Sequence, residues 1–103
     1  MYSIVLTTVK DRREANKIAR ALVSERLAAC VNIVPQVSSI YRWQGKVARS
    51  RELLLLIKTS TKEMDRLMAR IKELHSYQVP EIISVKVQRG WPQYLKWLKE
   101  SLD

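Results

Sequence analysis

His75, Tyr77 and Glu81 fall within seven residues of one another, with Pro80 fixing the backbone immediately before Glu81. An imidazole and a carboxylate separated by such a turn can converge on one cation, and copper(II) suits the pair because it accepts mixed nitrogen and oxygen ligands. Two ligands do not close a site. The structural alternative is that His75 and Tyr77 cap the preceding helix and pack beneath the loop, and on the residues alone it is the stronger reading. His75 is the only histidine, so no two-histidine zinc pattern exists within the chain. Cys30, in Ala28-Ala29-Cys30-Val31-Asn32-Ile33, is expected to be a packed core thiol rather than a nucleophile or ligand. Thr7, Thr8 and the serines have no paired base, and there is no glycine-rich phosphate loop. A non-enzymatic protein is expected.

The elements that must position these residues belong to one domain, residues 1–103. A chain of 103 residues with 47% hydrophobic content can build one core and no second. The two glycines and three prolines are too scattered to form a linker. Residues 1–10 lack a basic leader, and no stretch approaches the roughly 20 apolar residues that cross a bilayer. A single cysteine cannot make an intrachain disulfide, so a cytoplasmic protein without a membrane partner is the expectation.

Strand and helix signals alternate. Residues 4–9 are apolar and β-branched, and read as a first strand. Asp11 with Glu14 forms a capping box, after which Ala15, Ile18, Ala19, Leu22 and Val23 recur at helical spacing towards Glu25. Residues 28–34 make a second strand, interrupted by Pro35 and resumed over 38–43. Gln44-Gly45 supplies a turn and residues 52–59 a third strand. Ser60 and Glu63 suggest another capping box, followed by an apolar stripe of Met64, Leu67, Met68, Ile71 and Leu74. Residues 82–87 read as a fourth strand, and Tyr94, Leu95, Leu98 and Leu102 mark a terminal helix. The βαββαβ order with an extra C-terminal helix predicts an α+β ferredoxin-like sandwich, a four-stranded antiparallel sheet with two helices on one face.

That sheet has a second face. If Leu53, Leu55 and Ile57 point towards the helices, Leu54 and Leu56 point away, and each bared leucine forfeits roughly 1.5 to 3 kcal/mol of burial. A partner surface is therefore expected.

Three blocks, Glu25-Arg26-Leu27-Ala28-Ala29-Cys30-Val31-Asn32-Ile33-Val34-Pro35, Ser39-Ile40-Tyr41-Arg42-Trp43-Gln44-Gly45-Lys46 and His75-Ser76-Tyr77-Gln78-Val79-Pro80-Glu81, together resemble the CutA divalent-cation-tolerance family in order and spacing. Residues 52–59 and Tyr94-Leu95-Lys96-Trp97-Leu98 extend the resemblance over nearly the whole chain. It implies a homotrimer in which the strand pair around Trp43 to Glu52 reaches a neighbouring subunit. It also implies a part in the response to metal ions, with His75 and Glu81 matching residues implicated in copper binding. The family's further cysteine ligand on the first strand has no counterpart in Ile4-Val5-Leu6-Thr7-Thr8, and Ser76 stands where relatives commonly have proline. Tyr41, Trp43, Lys58 and Tyr77 match an aromatic and polar cluster at intersubunit clefts.

Nineteen Lys and Arg against ten Asp and Glu give a net charge of +9, with Arg49 and Arg51 where CutA relatives often carry acids. Most of these bases are expected on a solvated face. RNA-recognition domains share the βαββαβ order, but they need aromatic platforms on the first and third strands. This chain has no Phe and a third strand of Leu and Ile, so specific nucleic-acid binding is not expected. The trimeric ferredoxin-like arrangement looks like that of the PII signal proteins, and by that analogy of fold the second reading is a scaffold or sensor that takes a small anionic metabolite, with Lys58 or Arg42 as counter-charge.

Overall fold

Strict alternation shapes the first strand: Ser3, Val5, Thr7 and Val9 are buried, while Tyr2, Ile4, Leu6 and Thr8 are half-exposed. In the computed structural model, which describes all residues from Met1 to Asp103, this strand β1 (Tyr2–Val9) lies inside a four-stranded sheet. The chain continues through α1 (Arg12–Ser24), β2 (Cys30–Trp43), β3 (Lys46–Ser60), a short 3-10 turn (Thr61–Glu63), α2 (Met64–Leu74), β4 (Ile83–Val87) and α3 (Pro92–Leu102). The sheet order is β2-β3-β1-β4 with every pairing antiparallel, the expected ferredoxin-like topology.

Register decides what meets the helices. Val5 pairs with Ile57 and Thr7 with Leu55 across β1 and β3, while Val31 and Ile33 on β2 oppose the same two residues. Val5, Leu55 and Ile57 form the core with Ala15, Ile18 and Leu22 of α1 and Leu67 and Ile71 of α2. Val23, which the spacing placed in the α1 stripe, is exposed. Arg70 on α2 holds Glu25 at the end of α1 through paired contacts of 2.9 Å. That hydrogen bond lowers the Glu25 carboxyl below its ordinary value.

Only half of the first capping box forms. Asp11 Oδ1 accepts the Glu14 N–H at 2.9 Å, but the Glu14 side chain turns inward instead of back to the cap. The second box does not form: Ser60 pairs with Tyr2 as the last residue of β3, and its hydroxyl donates to the Met1 carbonyl. The 3-10 turn intervenes, and α2 starts at Met64 without a side-chain cap.

Pro35 does not divide β2. The register shifts between Val34, opposite Leu54, and Val37, opposite Glu52. Pro35 and Gln36 therefore share the space opposite Leu53 in a bulge, with Gln36 at φ 59°, and the bulge accommodates a residue that has no N–H. Beyond it the two strands run on to a tight turn in which Gln44 (φ 49°) and Gly45 (φ 78°) both adopt positive φ, as a type I′ hairpin requires. β3 consequently begins at Lys46, six residues before the apolar run predicted it.

No third strand accompanies this hairpin, because β1 pairs with β3 only as far as Val9 and Leu53. It projects from the body and gives extents of 45 × 25 × 23 Å, with a radius of gyration of 14.2 Å. A compact chain of about 100 residues has a radius near ~13 Å. Ile40, Trp43 and Val47 along it are 66%, 59% and 72% exposed.

Leu54, Leu56 and Lys58 point to the side of the sheet away from α1 and α2, as alternation requires. The terminal helix α3 covers part of that face: Lys58 Nζ donates to the Tyr94 hydroxyl at 3.3 Å, and Leu98 is buried outside the main core. Ile83 and Val85 of β4 stay more than half exposed.

Candidate functional site

The end of α2 delivers His75 into the interior. Its N–H caps the helix on the Ile71 carbonyl at 2.9 Å, its backbone turns to an extended conformation, and its ring is fully buried. Nε2 lies 2.8 Å from the Thr8 carbonyl of β1, which can only accept, so this nitrogen carries the proton. Nδ1 accepts the Tyr77 N–H at 3.1 Å. Both ring nitrogens are thus committed within the chain, and a cation at His75 would have to displace one of these bonds.

Two buried carboxylates complete the cluster. Glu14 Oε2 accepts the Ser76 N–H at 3.2 Å, and Oε1 lies 3.7 Å from His75 Nδ1 with no hydrogen-bond partner of its own. The Tyr77 ring sits 4.8 Å from the His75 ring and its hydroxyl donates to Glu52 Oε2 at 2.7 Å. Burial first, and then the Glu52 carboxylate, push the Tyr77 phenol far above its ordinary value. The network joins α1, β1, β3 and the loop after α2, and it supports the reading in which His75 and Tyr77 cap and pack. Sequence reasoning gave Glu14 only a capping role and Glu52 only the start of a strand, and placed neither in this cluster. The signal was present in that Glu14 directly precedes Ala15 on the apolar stripe and Glu52 opens an apolar strand, positions from which a solvated carboxylate would have to turn away.

Glu81 is exposed and makes no hydrogen bond or ion pair within the chain. No three His, Cys, Asp or Glu side chains gather in a geometry suited to a metal ion.

The four residues matched to a cleft occupy three places in one chain. Tyr41 and Trp43 lie on the projecting hairpin, where the Tyr41 hydroxyl bonds Ser50 Oγ across the strands. Tyr77 joins the loop to β3 through Glu52. Lys58 lies beneath α3, its ammonium 5.5 Å from the centre of the Tyr94 ring. Tyr94, which contacts Lys58 and stacks at 5.4 Å on Trp97, belongs with this group although sequence reasoning gave it only a helical role. Cys30 departs from expectation: it pairs with Lys58 in the sheet, so its half-exposed thiol lies on the α3 side and outside the main core.

A profile of the CutA1 divalent ion tolerance protein family matches residues 3–101. The divalent-cation tolerance protein CutA of Thermus thermophilus is 54% identical over 98% of each chain. A solved structure of the divalent cation tolerance protein from the same organism superposes with a TM-score of 0.97, at 52% identity and with both chains fully covered. The chloroplastic CutA 1 protein of Oryza sativa is 44% identical over 95% of this chain, which spans 55% of that longer relative. With its sheet order, projecting hairpin and closing helix reproduced over the full length of a solved relative, the chain belongs to the CutA1 divalent ion tolerance family.

Proposed function

We propose that the chain serves divalent-cation tolerance as a non-enzymatic, cytoplasmic homotrimer. The observation that carries the assembly is the projecting β2–β3 hairpin, with Ile40, Trp43 and Val47 bare along it, beside a sheet face on which Ile83 and Val85 are also uncovered. An isolated two-stranded hairpin is marginal in water, and apolar surface of this kind is stable when a neighbouring copy buries it. A closed three-fold ring satisfies all copies alike. Light scattering over a dilution series tests this: about three chains per particle is expected, and a persistent monomer overturns it.

Within that assembly, weak copper(II) binding at His75 and Glu81 is the metal reading. Ligation at Nδ1 or Nε2 would cost a hydrogen bond already made, so the affinity is expected to be modest, to exceed that for zinc, and to vanish in His75→Ala. Calorimetry with copper(II) on both proteins decides it, and unchanged binding in the variant rejects the site.

One observation favours a second reading, a small anionic ligand at an intersubunit cleft. Lys58 is half-buried and its only partner is the neutral Tyr94 hydroxyl and ring, so its charge is unmatched on the face a neighbour would cover. A thermal-shift screen of carboxylates and phosphates separates the two, since a specific ligand raises the melting temperature with its concentration.

A further inference from the structure

The basic charge of this chain is not evenly neutralised. Arg66 and Arg70 of α2 are held by Glu63, Glu25 and Glu73. On and just before α1, Lys10, Arg12, Arg13, Lys17 and Arg20 are all exposed, and none makes an ion pair. The two acids in the same stretch point elsewhere, Asp11 to the helix cap and Glu14 into the His75 network. At 100° per residue, Arg13, Lys17 and Arg20 form one stripe diametrically opposite the buried Ala15, Ile18 and Leu22. Arg12 and Arg13 also occupy the first helical turn, where the helix dipole disfavours cations. Asp11 at the cap and Glu14 in the first turn offset the dipole, but their carboxylates are turned to the backbone and to the His75 network, so the outward stripe of bases is left without a carboxylate of its own, the pattern of a surface kept for a partner.

We infer that the outer face of α1 binds the phosphate backbone of double-stranded nucleic acid without reading its sequence. This goes beyond the metal or anion reading and does not depend on it. Arg13 to Arg20 spans seven residues, or about 10 Å of helix axis, comparable with about three phosphates of one strand at ~3.4 Å each. The stripe carries no aromatic side chain on which unpaired bases could stack, so the duplex is favoured over a single strand. A lipid surface fits less well, because an interfacial helix inserts its apolar face and that of α1 is sealed in the core.

Fluorescence anisotropy with a labelled DNA duplex tests the inference on the full chain. Binding should weaken steeply between about 50 and about 200 mM salt. The triple variant Arg13→Glu, Lys17→Glu, Arg20→Glu should bind at least ~10-fold more weakly at low salt, with a salt slope shallower by about two to three units, since each neutralised phosphate contributes about 0.9. A second variant, Arg89→Glu, Lys96→Glu, Lys99→Glu, makes the same change in net charge away from α1 and should keep most of the affinity. Heat unfolding confirms that each variant is folded, and glutamine replaces glutamate at any position where it is not. Equal losses in both variants, or no loss in the α1 variant, overturn the inference by showing that net charge or another surface is responsible. Binding to phosphatidylglycerol vesicles without binding to the duplex also overturns it.

Discussion

The Tyr77 hydroxyl donates to Glu52 Oε2 at 2.7 Å and ties the loop after α2 to β3 at the root of the projecting hairpin. Glu52 is buried and makes no other side-chain hydrogen bond, so this single bond is what its carboxylate receives from the chain. Tyr77→Phe should therefore cost about 1 to 3 kcal/mol, the range for leaving a buried acceptor unpaired. Adding Glu52→Gln to Tyr77→Phe should recover part of the loss, because an amide is less costly to bury than a charge. Urea unfolding of the two single variants and the double variant measures this, and additive effects would show that the bond is unimportant.

The same bond has an alkaline signature. The folded-state value of Tyr77 is raised, so its contribution to stability is complete below the unfolded value of about 10 and is lost as pH rises towards the folded one. Between those points the unfolded chain releases a proton that the folded chain keeps. The parent should lose stability above pH ~10 more steeply than Tyr77→Phe. Identical alkaline slopes for the two proteins would exclude this source.

His75 is expected to act as a structural tie whether or not it ever meets a metal. Its ring is fully buried and joins the Thr8 carbonyl to the Tyr77 N–H. His75→Ala leaves both groups unpaired and opens a cavity, and should destabilise by about 2 to 4 kcal/mol. The measurement belongs in chelator-treated protein, where no cation contributes. A variant as stable as the parent under those conditions would remove the ring from the scaffold.

Order and type of the elements were legible because the local signals agree: a β-branched first strand, apolar stripes at helical spacing, and a Gln-Gly turn. The sheet's second face was legible too, since five successive apolar residues on a strand cannot all face one layer. What the chain did not disclose is tertiary. Ser60 has the residue type of a cap, yet the Met1 carbonyl competes for its hydroxyl. Glu14 matches a capping box, yet Ser76, distant in sequence, claims its carboxylate. Pro35 reads as a strand breaker only where the ladder needs its N–H, and the bulge at Gln36 removes that need. For the site, the loop holding His75 and Tyr77 was visible, whereas the carboxylates that face them come from elements far along the chain.

The hairpin turn offers two substitutions of opposite sign. A Cβ on Gly45 would meet no atom within 4 Å, so Gly45→Ala adds no clash, but φ of 78° is strained for any residue with a Cβ. A loss of about 1 kcal/mol is expected. Gln44 adopts φ of 49°, where asparagine is preferred over glutamine, and Gln44→Asn should raise stability by a few tenths of a kcal/mol. Thermal unfolding of both checks the turn, and a neutral Gly45→Ala would mean that the turn relaxes without affecting the strands.

Trp43 closes β2 immediately before that turn, 59% exposed at the tip of a strand pair that no third strand supports. In a homotrimer its ring is expected against a neighbouring chain, where it also excludes water from the cleft beside Tyr41. Truncating a fully buried aromatic typically costs about 3 to 5 kcal/mol, and a closed ring repeats the loss at each symmetry-related interface. Within the subunit the cost is small because most of the ring touches solvent there. Trp43→Ala should therefore lower the concentration stability of the trimer well before it affects the folding of the chain, so that sedimentation at micromolar protein shows smaller species with strand and helix content retained. An intact trimer with the melting temperature of the parent would place the intersubunit anchor away from the hairpin tip, on the sheet face around Ile83 and Val85.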